Sequence, residues 1–146
     1  MALIPFSSFP TATTPLSLTD ILVGLQAGAN IKTSINEVTK VMYQDIQTLS
    51  GTTKTLALAD IGAWIRATSG SATAITVPPN SSVAFPIGII LNGVQGGAGQ
   101  ITLTAGAGVT LNYPSDLGVK TRHQGSSWRL IKVATDIWDL TGDIAA

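Results

Sequence analysis

From Thr55 onward the chain is a series of short apolar runs separated by turn residues. The runs are Thr55–Leu58, Ala63–Ala67, Ala74–Val77, Val83–Phe85, Ile87–Leu91, Gln100–Thr104, Val109–Leu111, Trp128–Val133 and Ile137–Leu140. Between them stand Pro78-Pro79-Asn80, Gly96-Gly97, Gly106, Gly108 and Gly125. Gln100-Ile-Thr-Leu-Thr alternates polar and apolar side chains, as a half-buried strand does. Many short strands with Gly and Pro turns predict a mainly β fold, a sandwich or barrel-like domain over residues 52–146.

The pattern changes upstream. Ile35, Val38, Met42, Ile46 and Leu49 are spaced by 3, 4, 4 and 3 residues, which lays them on one helical face. Ser34 and Glu37 fit a capping box, and Ser50-Gly51 is a stop. These signals predict a short helix over 34–49, within a segment bounded at residues 34–50. Such a helix can pack on its own domain. Alternatively it forms a short trimeric coiled coil, with Ile35, Val38, Met42, Ile46 and Leu49 as the interface. A helix this short is marginal alone.

Residues 20–33 hold two apolar runs around Gly24 and Gly28, which read as a small hairpin or loop. Residues 1–20 carry Pro5, Pro10 and Pro15, so they are expected to be extended. Their large apolar groups, Leu3, Ile4, Phe6, Phe9, Leu16 and Leu18, are unusual for a solvated tail. The reading is an extended arm over residues 1–33 that anchors to a partner through those side chains.

Charge sharpens the picture. Only 11% of the 146 residues are charged and the net charge is zero, against roughly 25% charged in ordinary domains. From Ala67 to Ser115 there is not one Asp, Glu, Lys or Arg. Exposed sheet edges normally carry charge against edge-to-edge pairing. Neighbouring copies are the expected cover for such a stretch. Scattered basic residues argue against nucleic acid as a partner. No basic-plus-apolar leader begins the chain, and the longest apolar run, Val83–Val94, is too short and interrupted for membrane insertion.

Candidate chemistry is sparse. There is no cysteine and one histidine, His123, so no cofactor, metal or catalytic residue is expected. His123 sits in a turn-like Thr121–Gly125 segment, and no Gly-x-Ser-x-Gly elbow raises the prospect of a triad. Asp136 and Asp139 flank Trp138, but would point to opposite faces of a strand and read as turn acids. Gly97-Ala98-Gly99 and Gly106-Ala107-Gly108 lack the helix and lysine of a phosphate loop, and suit turns or tight contacts. Trp64, Trp128 and Trp138 are expected in the core. A sugar-stacking role would need one of them exposed beside polar groups.

Several stretches occur in an order that resembles a module of phage tail-fibre and appendage proteins. They are Thr55-Leu-Ala-Leu-Ala-Asp-Ile-Gly, Ile75-Thr-Val-Pro-Pro-Asn-Ser-Ser-Val-Ala-Phe-Pro-Ile-Gly and Gln95-Gly-Gly-Ala-Gly-Gln-Ile-Thr-Leu. Ala105-Gly-Ala-Gly-Val-Thr-Leu and the close from Trp128 to Asp143 complete it. The resemblance spans about residues 52–143. Phe9–Leu16 and Gly24–Lys32 also look like the start of such fibres. The resemblance implies a homotrimeric, non-enzymatic virion protein at the particle surface, with a β-head and no cofactor. Its implied partners are its own copies and, through the arm, tail, baseplate or capsid proteins. A host surface glycan is a further partner if the head serves adsorption. The alternatives are a capsid decoration or cement protein and a carbohydrate-binding module.

Overall fold

Side chains that alternate between core and solvent set the architecture. The computed structural model describes residues 21–26, 29–34 and 44–146. The chain divides into two units, Met1–Tyr43 and Gln44–Ala146. In the first, β1 (Ile21–Gln26) and β2 (Ala29–Ser34) pair antiparallel, from Ile21↔Ser34 to Gln26↔Ala29. That hairpin realises the two apolar runs. The anchor residues Leu3, Ile4, Phe6, Phe9, Leu16 and Leu18 lie outside the described residues, as do Ile35, Val38 and Met42.

The second unit is mainly β. Its strands are β3 (Asp45–Leu49), β4 (Thr53–Thr55), β5 (Ala63–Ala67), β6 (Thr73–Val77), β7 (Ile90–Gln95) and β8 (Ile101–Ala105). They are followed by β9 (Thr110–Asn112), β10 (Lys120–Thr121), β11 (Ser127–Ala134), β12 (Ile137–Gly142) and β13 (Ile144–Ala145). Two mixed sheets result: a six-stranded one ordered β3-β5-β7-β11-β12-β9 and a five-stranded one ordered β13-β10-β8-β6-β4.

The first six of these strands wind between the sheets. β3, β5 and β7 pair parallel in one sheet, and β4, β6 and β8 pair parallel in the other. The chain therefore makes three turns of a parallel winding. The later strands close it antiparallel: β11 on β7, β12 on β11, and β10 between β8 and β13. β9 joins β12 in parallel.

Period-2 burial explains the shared core. In β5 Ala63, Ile65 and Ala67 are buried while Trp64 and Arg66 face out. In β6 Thr73, Ile75 and Val77 are buried. One cluster joins Ile65, Leu91, Leu130, Trp138 and Leu140 of the six-stranded sheet to Ile75, Val77, Ile101 and Leu103 of the five-stranded one. Each such side chain contributes about 1.5–3 kcal/mol on burial. Phe85 meets Trp138 edge-on at 5.5 Å between centroids.

The helix expected over 34–49 is corrected at both ends. Ser34 closes β2, paired with Ile21. Residues 45–49 form β3, in register with β5 from Asp45↔Ala63 to Leu49↔Ala67. The three-residue interval from Ile46 to Leu49 is helical, and pairing with a formed strand overrides it. Ile46 and Leu49 then point to opposite faces of β3. Ile46 is 66% exposed, whereas Leu49 packs on the core. They do not form one stripe.

Within the uncharged stretch only β9 stands at the edge of a sheet. β6, β7 and β8 are interior strands, each paired on both sides within the chain. Their edges need no charge because no edge is free. The Gly97–Gly99 segment makes its tight contacts inside the chain too. A Cβ at Gly97 or Gly99 would overlap the carbonyls of Ser69 and Ser71, one turn earlier in the winding.

Candidate functional site

The outer face of the six-stranded sheet carries a concave feature with mixed chemistry. Strand register aligns a row across it: Ile46 on β3, Trp64 on β5, Asn92 on β7, Arg129 on β11 and Thr141 on β12. A groove of about 220 Å³ opens along this row. Trp64, Asn92, Ser127, Arg129 and Thr141 line it, with Trp128 and Gly142. The volume is below the ~300–1,000 Å³ of drug-sized pockets, and has room for a single small ring.

Close backbone approach packs the strands on the core side of this sheet. Position 93, in register between Ile65 and Trp128, is glycine. A Cβ there would overlap the Ile65 carbonyl oxygen and lie 2.8 Å from Trp128 Cζ2. Gly142 has φ 136°, and a Cβ would overlap the Ser127 carbonyl. These two glycines let β5, β7, β11 and β12 pack around the Trp128 indole without crowding.

Trp64 is half-buried and Arg129 exposed, while Asn92 is buried. Asn92 Oδ1 accepts a 2.9 Å hydrogen bond from Gln44 Nε2. That fixes the amide so that its Nδ2 is left to donate. Arg129 has no carboxylate within ion-pair distance among the described residues; the ion pairs there are Lys54–Asp60 and Arg122–Asp143. Trp128, only 1% exposed, carries the one buried side-chain nitrogen or oxygen without a partner among the described residues, its Nε1. Buried indole N–H groups usually find an acceptor.

The other expectations resolve as follows. Trp128 and Trp138 are core residues, and Trp64 alone among the tryptophans meets the condition for stacking. Asp136 is a turn residue at φ 56°. Its Oδ1 accepts the Asn80 N–H at 2.6 Å. Asp139 accepts from Asn112 Nδ2 at 2.9 Å. His123 is exposed in the turn after β10.

A serine, a histidine and an aspartate do cluster there, but not in nucleophile–base order. Ser126 Oγ donates directly to Asp143 Oδ2 at 2.5 Å, and the His123 backbone N–H donates to Ser126 Oγ at 2.9 Å. Arg122 Nε is 2.9 Å from Asp143 Oδ1. The Ser126 hydrogen bond, then Arg122, holds the Asp143 carboxyl below its usual range. The arrangement ties the turn to the C-terminal strand.

Sequence reasoning missed Lys132. It is 2% exposed and pairs with neutral acceptors, Asn80 Oδ1 at 2.5 Å and Phe85 O at 2.7 Å. Its Nζ stands 5.9 Å from the Trp138 ring centroid. It pins the Pro78–Phe85 connection to β11. An alternating strand with Lys on the apolar phase, Trp128-Arg-Leu-Ile-Lys, was the available signal. Among the described residues no cluster of three metal-ligating side chains occurs. No family model, curated protein or solved structure matches this chain.

Proposed function

We propose that the chain is a non-enzymatic structural protein of a bacteriophage particle, a short homotrimeric appendage whose residues 44–146 form the displayed β-head. The resemblance of residues 52–143 to phage appendage modules supports the class. One structural observation carries the assembly part. The first turn of the winding leaves both sheets open at the same end. β3 and β4 are each paired on one side only, and beside this border Ile46 is exposed. At the opposite borders stand β9 and β13, three and two residues long, a length that protects an edge. β4, with three residues, shares that protection, whereas β3, with five, lacks it. Copies of the chain, or the particle that holds it, are the natural cover.

Residues 1–33 then act as the anchor and the residues from Ser34 up to Gln44 as the connection to the head, without the continuous helix expected for a stem. The test is light scattering of the full chain at micromolar concentration, with labelling of the protein on intact particles. A trimer located at a tail or baseplate supports the reading. A folded, solitary monomer that no particle carries ends it. Label distributed over the capsid instead makes it a decoration protein.

A further inference from the structure

We propose that the groove of Trp64, Asn92, Ser127, Arg129 and Thr141 binds a carboxylated saccharide, one uronate- or sialate-type ring at a time. The inference borrows from the display reading only the setting in which such a saccharide would be met. Binding itself belongs to the isolated chain.

The chemistry of the lining selects the ligand class. An indole face offers apolar, polarisable area to the C–H face of a sugar ring. Trp64 supplies it half-exposed, flanked in register by Asn92, with exposed Arg129 on the strand beyond Asn92. A guanidinium is a planar fork that matches a carboxylate with two parallel hydrogen bonds. Arg129 is the groove's one charged side chain and has no acidic partner among the described residues. Hydroxyl groups of a sugar need fixed donors and acceptors. Asn92 is held by Gln44, so its Nδ2 is presented as a donor. Ser127 stands two residues before Arg129 on β11, and Thr141 is the register partner of Arg129 on β12.

The lining argues against the main rivals. A nucleic acid would need several cations along a track, and the groove has one. An apolar peptide would leave Arg129 and Asn92 buried against nothing polar, which is costly. A neutral saccharide would use Trp64 and leave the guanidinium unmatched. A carboxylated ring satisfies both.

The full-length chain should be applied to a glycan array carrying matched carboxylated and neutral saccharides, with titration calorimetry against oligogalacturonate and its methyl ester. Retention of the carboxylated members, and loss of binding on esterification, is the expected result. Trp64→Ala and Arg129→Gln should each weaken binding by roughly 10- to 100-fold, the scale of a charge-assisted hydrogen bond. Lys120→Gln, on the other sheet, should leave it unchanged. Circular dichroism establishes that each variant is folded. Binding should also weaken as salt rises. No retention of any carboxylated saccharide by the parent protein overturns the proposal. So does equal binding of acid and ester, or binding indifferent to Trp64 and Arg129. Light scattering on the same samples separates the two readings: a trimer that binds nothing defeats the saccharide site alone. A monomer that binds defeats the assembly alone.

Discussion

Gly93→Ala is the sharpest probe of how the six-stranded sheet is put together. The added methyl would overlap the Ile65 carbonyl oxygen on β5 and sit 2.8 Å from Trp128 Cζ2 on β11. Ordinary carbon contacts are about 3.5–4.0 Å, so the indole must retreat by about 1 Å. Trp128 is 1% exposed and packed in the main core, so it has little room to do so. The carbonyl cannot rotate away, because it belongs to a strand paired with β7 on that side. β5 and β7 must therefore separate locally. Overpacking costs about 1–3 kcal/mol, and this clash, against backbone, belongs at the upper end. Alanine recovers about 0.5–1 kcal/mol in a strand by narrowing the unfolded ensemble. The net loss is about 2 kcal/mol. Urea unfolding reads this as a fall in midpoint of roughly 1 M at an unchanged slope. Gly70→Ala, where an added Cβ meets nothing within 4 Å, is the control. If Gly93→Ala and Gly70→Ala unfold at the same midpoint, the packing account of β5, β7 and Trp128 is wrong.

Three further outcomes follow from the same structure. Trp138→Ala removes a fully buried indole and its edge contact with Phe85; thermal unfolding should show a loss of about 3–5 kcal/mol. Asp60→Ala breaks a shielded ion pair with Lys54 at 2.9 Å and frees the Ala57 N–H, bonded to Asp60 Oδ2 at 2.8 Å. Chemical denaturation should register about 3 kcal/mol, because a largely desolvated ammonium loses its counter-charge. The Asp143 carboxyl is held below 3.8 in the folded chain by Ser126 first and Arg122 second. Its contribution is thus present above the unfolded pKa and lost as pH falls through the folded one. A two-dimensional NMR titration should place its midpoint below 3.8, and Asp143→Asn should flatten the acid limb of the stability profile.

The strand pattern was readable wherever burial alternated with period 2. Ala63–Ala67 is β5 as the pattern placed it, and the Trp128 and Ile137 runs became β11 and β12. The Val83–Leu91 stretch misled. Its apolar residues serve a connection fastened by Lys132 to Phe85 O and Asn80, and β7 begins only at Ile90. Residues 45–49 misled more deeply, since the interval from Ile46 to Leu49 is helical and only pairing with β5 overrides it. The groove was half visible. A tryptophan beside polar groups was a stated condition for stacking. Which tryptophan meets it depends on register between strands far apart in sequence, Trp64 with Asn92 and Asn92 with Arg129. No local spacing encodes that alignment.

The order of assembly on a ribosome follows from the winding. β7 and β8 are finished well before β10 and β11, the strands that cover their outward borders. Until the last forty-odd residues emerge, a nascent chain displays two naked, uncharged parallel borders at once. Its hazard of sticking to a sister chain should peak late in synthesis, and a premature stop beyond Ala105 should yield insoluble product rather than a smaller soluble one.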